Sequence, residues 1–288
     1  MTFYLLDVFG NSRYTGNQLA VFSNVGDLSS QEMQQIAREI NFSETTFITD
    51  INPQNEGYPV RIFTPGSEVE FAGHPTLGTA YIIKKYIDKR NRDIIRLDLK
   101  AGQIPVNFIR DLLWMRQNQP SFGNELPIKT IAELLNLSIS DINDKFPVTD
   151  VSTGLPFTIV PLRSMKALKK ARINHSLYPA YIDKAWAKGI LVFCPEGYNS
   201  QQDLASRVFV DYFGIPEDPA TGSATGCLAA YIVKYGIFGQ VRQKITVGQG
   251  YEIGRPSELM IDAELRNSEY EINVGGKVFE TGKGEWGS

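Results

Sequence analysis

Two stretches of this chain end in almost the same helix. Residues 71–79 read F-A-G-H-P-T-L-G-T and run into A-Y-I-I-K at 80–84; residues 217–226 read E-D-P-A-T-G-S-A-T-G and lead to A-Y-I-V-K at 230–234. Upstream, Arg61-Ile62-Phe63 followed by Gly66 and Glu70 is answered by Arg207-Val208-Phe209 followed by Gly214 and Glu217. The offset is 146 residues at the arginines (61 to 207) and 150 at the helices (80 to 230), so one half carries a short insertion. Solenoid repeats have periods of roughly 20–50 residues, and this period is a whole domain. The 288 residues therefore read as two similar domains, 1–118 and 119–288. The Pro-, Gly- and Asn-rich stretch Asn118–Pro127 is the expected junction, and the last strands can cross back onto the first domain.

Most of the remaining chain reads as short β-rich runs separated by turn residues, among them Phe3–Phe9, Leu19–Phe22, Thr45–Thr49, Val60–Phe63, Ile190–Phe193 and Arg207–Tyr212. Strands do not alternate regularly with helices, which favours α+β over a doubly wound sheet. Ser29-Ser30-Gln31-Glu32 is a capping box, and Met33, Ile36, Ala37 and Ile40 then form one apolar face. The repeated helices, Leu77–Ile83 and Ala224–Val233, are apolar or small nearly all round, so each is expected to be enclosed by strands. The fold class is α+β, two pseudo-symmetric domains, each a curved, mostly antiparallel sheet wrapped around a buried central helix.

A helix start presents unpaired N–H groups and a partial positive charge, and so holds a carboxylate or phosphate without a basic side chain. Gly73 lets backbone approach a ligand, and Pro75 fits a first turn. Thr221, Gly222 and Ser223 offer amides, with hydroxyls that can cap or touch a ligand. Two such starts converging on one cleft predict a small anionic substrate held between the domains, with His74 and Asp218 as the ionisable groups beside it. Each piece has an ordinary reading too: a capped helix, a hydrogen-bonded histidine, an aspartate that makes a turn. Glu44, in N-F-S-E-T-T-F-I, is either a solvated loop glutamate or an acid enclosed by Phe42 and Phe47, able to hold or release a proton near neutrality.

Composition closes off other classes. The net charge is −3 and no Lys/Arg run stands out, so neither nucleic acid nor membrane is an expected partner. The N-terminus, M-T-F-Y-L-L-D-V-F-G, does not read as a signal peptide, and no apolar run approaches the ~18 residues of a spanning helix. Two cysteines (Cys194, Cys227) and two histidines (His74, His175) leave little for a disulfide framework or a zinc site. A soluble, cytoplasmic and metal-free protein is expected. Gly248-Gln249-Gly250 with Gly254 is not the dinucleotide spacing.

Asp7-Val8-Phe9, T-G-N-Q-L-A-V-F (15–22), S-E-T-T-F (43–47), G-H-P-T-L-G-T-A (73–80), D-P-A-T-G-S-A-T-G (218–226) and Q-G-Y-E-I-G-R-P-S (249–257) resemble the PhzF-like phenazine-biosynthesis isomerase family, in order along the chain. The resemblance implies a diaminopimelate epimerase-like fold, a homodimer and a cofactor-free isomerase acting on a small carboxylate. It places the acid/base glutamate on Glu44, with His74, Asp218 and Ser223 as its catalytic companions. It places substrate contacts on Gly73, Thr221 and Gly222, and on Asn17. Where the family often has proline this chain has Gln18, which puts ligand contacts there in doubt. Two rivals stay open: a same-fold racemase or epimerase using cysteine bases, and a binder of small acids or partners that has lost the chemistry. Against the first, His74 stands where a thiol would be needed, and Cys227 falls on a buried helix face.

Overall fold

In a computed structural model, residues 1–53 and 55–287 are described. The chain falls into two compact units, Met1–Arg116 together with the chain from Gly275 onward, and Gln117–Val274.

The first unit contains β1 (Thr2–Val8), β2 (Asn17–Ser23), α1 (Ser30–Ile40), β3 (Glu44–Ile48), β4 (Gly57–Phe63), β5 (Glu68–Val69), α2 (Gly73–Ile82), β6 (Ile94–Leu99), β7 (Gly102–Ile109) and β8 (Leu112–Arg116). In the second unit come β9 (Ser121–Glu125), α3 (Ile128–Leu134), β10 (Thr149–Ser152), β11 (Pro156–Pro161), α4 (Met165–Lys170), α5 (Tyr178–Ile182), β12 (Gly189–Cys194), β13 (Leu204–Val210), β14 (Ile215–Asp218), α6 (Gly222–Tyr235), β15 (Arg242–Gln249) and β16 (Ser257–Arg266). Then β17 (Glu269–Gly276) leads to β18 (Val278–Glu285), which pairs antiparallel with β1. The stretch 118–127 is not an irregular linker, since it holds β9, antiparallel to β10.

The same pairing scheme occurs in both units. In the first, β1 and β2 are antiparallel, β2 and β3 parallel, β3 and β4 antiparallel, β4 and β5 antiparallel. From β4 the sheet continues parallel to β6 and antiparallel to β7. In the second, β10 to β16 repeat these senses in the same order, with the parallel steps at β11–β12 and β13–β15. The repeat seen in sequence at one helix is therefore a repeat of topology.

Both long apolar helices are enclosed. Every residue of α2 except Tyr81 is buried, and so are Gly222 and Ala224–Ile232 of α6. A side chain at Gly78 would meet Leu19 Cδ2 at 2.4 Å, so α2 sits on β2 as closely as backbone allows. In α6, Tyr231 keeps its polar end satisfied by donating to the Pro147 carbonyl at 2.7 Å. The α2 helix does not stop at Ile83; it widens into a π-turn, Ile83–Ile87, closed by the Asp88 amide on the Ile83 carbonyl at 2.7 Å.

The opposite sheet faces are covered too. The capping box of α1 forms as its sequence dictates, with Glu32 accepting from the Ser29 amide at 2.8 Å and Ser29 Oγ accepting from the Glu32 amide at 3.3 Å. Its Met33 and Ala37 pack on Ala20, Phe22, Phe47 and Phe63. In the second unit α3 and α4 cover Val160, Ile190, Val192 and Phe209. Strands covered on both faces lose the polar alternation of a half-exposed sheet, which is why β13 is buried at all seven positions.

Candidate functional site

In the first unit, β3 begins at Glu44 and runs parallel to β2 with Leu19 opposite it. Alternation along β3 sends Glu44 and Thr46 toward α2, and Thr46 Oγ1 meets Thr79 Oγ1 of that helix at 2.8 Å. Phe47 turns the other way, into the aromatic cluster under α1, where Phe42 also packs. Phe47 therefore does not enclose Glu44 as expected, because residues an odd number of places apart in a strand face opposite sides, and Phe42 packs with the same cluster as Phe47. What stands beside Glu44 is His74, the second residue of α2, with Nε2 to Oε2 at 3.5 Å.

His74 is 5% exposed, and its Nε2 also lies 3.3 Å from the Gln18 carbonyl oxygen. Burial pushes the imidazole down to about 3, against the smaller upward pull of that carbonyl. Distance alone would admit an ion pair with Glu44, but a ring so enclosed is neutral at physiological pH. Two oxygens face Nε2, so the tautomer that fits carries its proton there and donates. The Gln18 side chain is exposed, and only its backbone carbonyl reaches His74. Any residue at 18 supplies that oxygen, proline included.

Asn17 is buried at the first position of β2. It follows the turn at Gly16, where φ is +76° and a side chain would meet the Val8 carbonyl at 2.4 Å. Asp7 accepts from the Tyr14 amide at 2.5 Å and pins the same turn. Gly73 is the first residue of α2, after the N-cap Ala72, and no side chain caps this helix.

In the second unit Asp218, Thr221, Gly222 and Ser223 stand together at the start of α6. Asp218 ends β14 and is buried; Thr221 is the N-cap. The Thr221 hydroxyl does not cap the helix but turns back to donate to Asp218 Oδ2. This start too lacks a side-chain cap, and the partly buried Ser223 occupies its second position.

Gln249, at the end of β15, escaped the sequence reading as a site residue. It is 0% exposed and clamps the loop: Nε2 donates to the Asp218 carbonyl at 2.8 Å and to Thr221 Oγ1 at 3.2 Å, while Oε1 accepts from the Thr221 amide at 3.4 Å. Next to it Gly250 has φ +77°, and a side chain there would strike the Pro219 carbonyl at 2.6 Å. The only signal for Gln249 in the sequence is its place in Q-G-Y-E-I-G-R-P-S, which reads there as a turn.

Neither cysteine is poised as a base. Cys194 and Cys227 are both fully buried, and burial pushes each thiol up to about 11. Cys227 lies against Thr153 Oγ1 at 3.8 Å and the Leu155 carbonyl at 3.5 Å. His175 is exposed, 3.7 Å from Asp211. Among the described residues, no group of three or more His, Cys, Asp or Glu side chains could hold a metal ion. No helix among them is long and apolar enough to cross a membrane.

A family model described as "Phenazine biosynthesis-like protein" (PhzC-PhzF) matches residues 6–283. The trans-2,3-dihydro-3-hydroxyanthranilate isomerase of Pseudomonas chlororaphis is 35% identical, with 98% of each chain covered. Its namesake from Pseudomonas aeruginosa is 34% identical at the same coverage. A solved phenazine biosynthesis protein of the PhzF family from Bacillus anthracis matches with TM-score 0.88 and 25% identity, over 98% of this chain and 97% of that one. A probable proline racemase from Agrobacterium radiobacter, at TM-score 0.64 and 9% identity over 99% and 92%, shares the fold alone.

Proposed function

Because this chain belongs to the PhzC-PhzF phenazine biosynthesis-like family, whose relatives are isomerases, we propose that it moves a proton between two carbons of a small carboxylic acid with Glu44 as the acid/base. The observation that carries this reading is the Glu44 carboxylate set 3.5 Å from a neutral, buried imidazole at the start of α2. A histidine that stays neutral cannot itself take up the substrate proton near pH 7. It can donate from Nε2 and orient the carboxylate, which leaves Glu44 to accept the proton and give it back. One group that both removes and returns a proton ends the cycle in the state in which it began, and needs no cofactor.

The uncapped starts of α2 and of α6 each offer amides to an anion, Gly73 in the first unit and Gly222 and Ser223 in the second. Asn17 lines the first of these. Asp218 and Thr221, fixed by Gln249, set the second. The name of the Pseudomonas relatives makes trans-2,3-dihydro-3-hydroxyanthranilate the first substrate to test. Turnover in heavy water would put deuterium into the product at the new C–H position through Glu44. Glu44→Gln that turns over undiminished would sink the assignment. A racemase working through paired thiols is disfavoured by the two buried, strongly raised cysteines.

A further inference from the structure

In the second unit, a groove of about 750 Å³ is lined by residues of α3, α5, β9 and β10, and none of the residues at the start of α6 lines it. Its apolar walls include Leu126, Leu134 and Ala180, and Tyr181 and Trp186 add aromatic surface. Trp186 is 47% exposed and packs closely on β9; a side chain at Gly123 would meet its ring at 3.2 Å. Asp150 of β10, only 6% exposed, also lines the groove.

The chemistry of Asp150 selects the ligand. Its Oδ1 accepts from Thr158 Oγ1 at 2.6 Å, and the Ala187 amide supplies a second neutral donor. None of the ion pairs among the described residues includes it. Burial raises the acid from its ordinary value, as expected of a carboxylate short of positive charge. With the Thr158 hydroxyl already committed, the carboxylate has acceptor capacity left over, and a ligand must bring donors. Glu133 and Lys184 line the groove with opposite charges, so they favour neither sign overall.

We propose that this groove is a second small-molecule site that takes an aromatic primary amine, its ammonium on Asp150 and its ring against Trp186 and Tyr181. The aromatic faces add attraction for both ring and cation. The proposal is independent of the acid/base reading, because none of the groove residues belongs to that site.

The experiment is isothermal titration calorimetry of the full chain with 2-phenylethylamine and its neutral analogue 2-phenylethanol. The amine should bind one site saturably, and the alcohol at least about ten-fold more weakly, the usual worth of a hydrogen bond to a charged group. Asp150→Asn should weaken the amine by a similar factor. Ala180→Phe, a filling change at an exposed position of α5, should abolish binding without entering the core. Thermal unfolding checks that each variant folds, and Ala180→Phe decides the matter if Asp150→Asn does not. Glu44→Gln should bind the amine unchanged. Absence of saturable amine binding, equal affinity for amine and alcohol, or binding that survives Ala180→Phe would each overturn the proposal.

Discussion

Replacing Glu44 by Gln keeps its size and removes its capacity to take a proton. On the proposed chemistry kcat should fall by about 10²–10⁴-fold, with unfolding temperature little changed; steady-state kinetics beside a thermal melt checks both. His74 makes a prediction that does not depend on substrate. Its folded pKa of about 3 lies below the ordinary value of 6.5, so between these limits the unfolded chain binds more protons. Stability from this group is therefore full above about pH 7 and falls as the pH drops, by about 2 kcal/mol between pH 7 and 5. Urea unfolding of wild type and His74→Asn at both pH values should show that extra loss in the wild type only. Glu44 itself shows the limit of reading neighbours in sequence. Phe42 and Phe47 are close along the chain, yet period-two alternation turns Phe47 to the face opposite Glu44.

At the scale of elements, the helix starts depend on supports that come from elsewhere in the chain. Gln249 holds the α6 start from 28 residues beyond Thr221, with three bonds to the loop. Gln249→Ala leaves the Thr221 amide and the Asp218 carbonyl without this partner, and should cost about 1–3 kcal/mol. If the loop sets the site, kcat/KM should fall more than in a control of equal stability loss placed in α1. Paired kinetics and denaturant titrations separate the two. The helices themselves were legible: an all-apolar helix has nowhere to go but inside, and α2 and α6 are enclosed. So was the capping box of α1, since it is a contact between residues three apart. The π-turn at Ile83–Ile87 and the strand at Ser121–Glu125 had no comparable local signature.

Across the whole molecule, the duplication repeats an ion pair as well as a topology. Arg61 bonds both oxygens of Glu68 at 2.8 Å, and Arg207 bonds both of Glu217 at 2.9 and 2.7 Å. Each guanidinium also lies over the phenylalanine two residues on, at 5.1 Å and 4.9 Å. In sequence Glu70 looked like the counterpart of Glu217; Glu68 holds that place. The pairs differ in depth. Arg207 is 2% exposed and also donates to the carbonyls of Leu168 and Ala171, whereas the Arg61 side chain is 27% exposed. Arg207→Ala should cost about 3–5 kcal/mol, and Arg61→Ala about 1 kcal/mol or less, as measured by denaturant unfolding. A homodimer, expected from the family resemblance, would appear in light scattering at twice the chain mass of 32.2 kDa.

The sequence by itself determined the α+β class, the two enclosed helices, the doubling of the pattern and the family, because each rests on local periodicity or on motifs that can be read in a line. The tertiary structure decided what those motifs touch. It put a neutral imidazole beside Glu44 with Phe47 on the other face of the strand, and turned the Thr221 hydroxyl onto Asp218 instead of the helix end. It also brought Gln249 under the second helix start and set Asp150 in a groove. These are contacts between residues far apart in the chain, or choices of sheet face. Hydrophobic pattern leaves both open, and packing settles them.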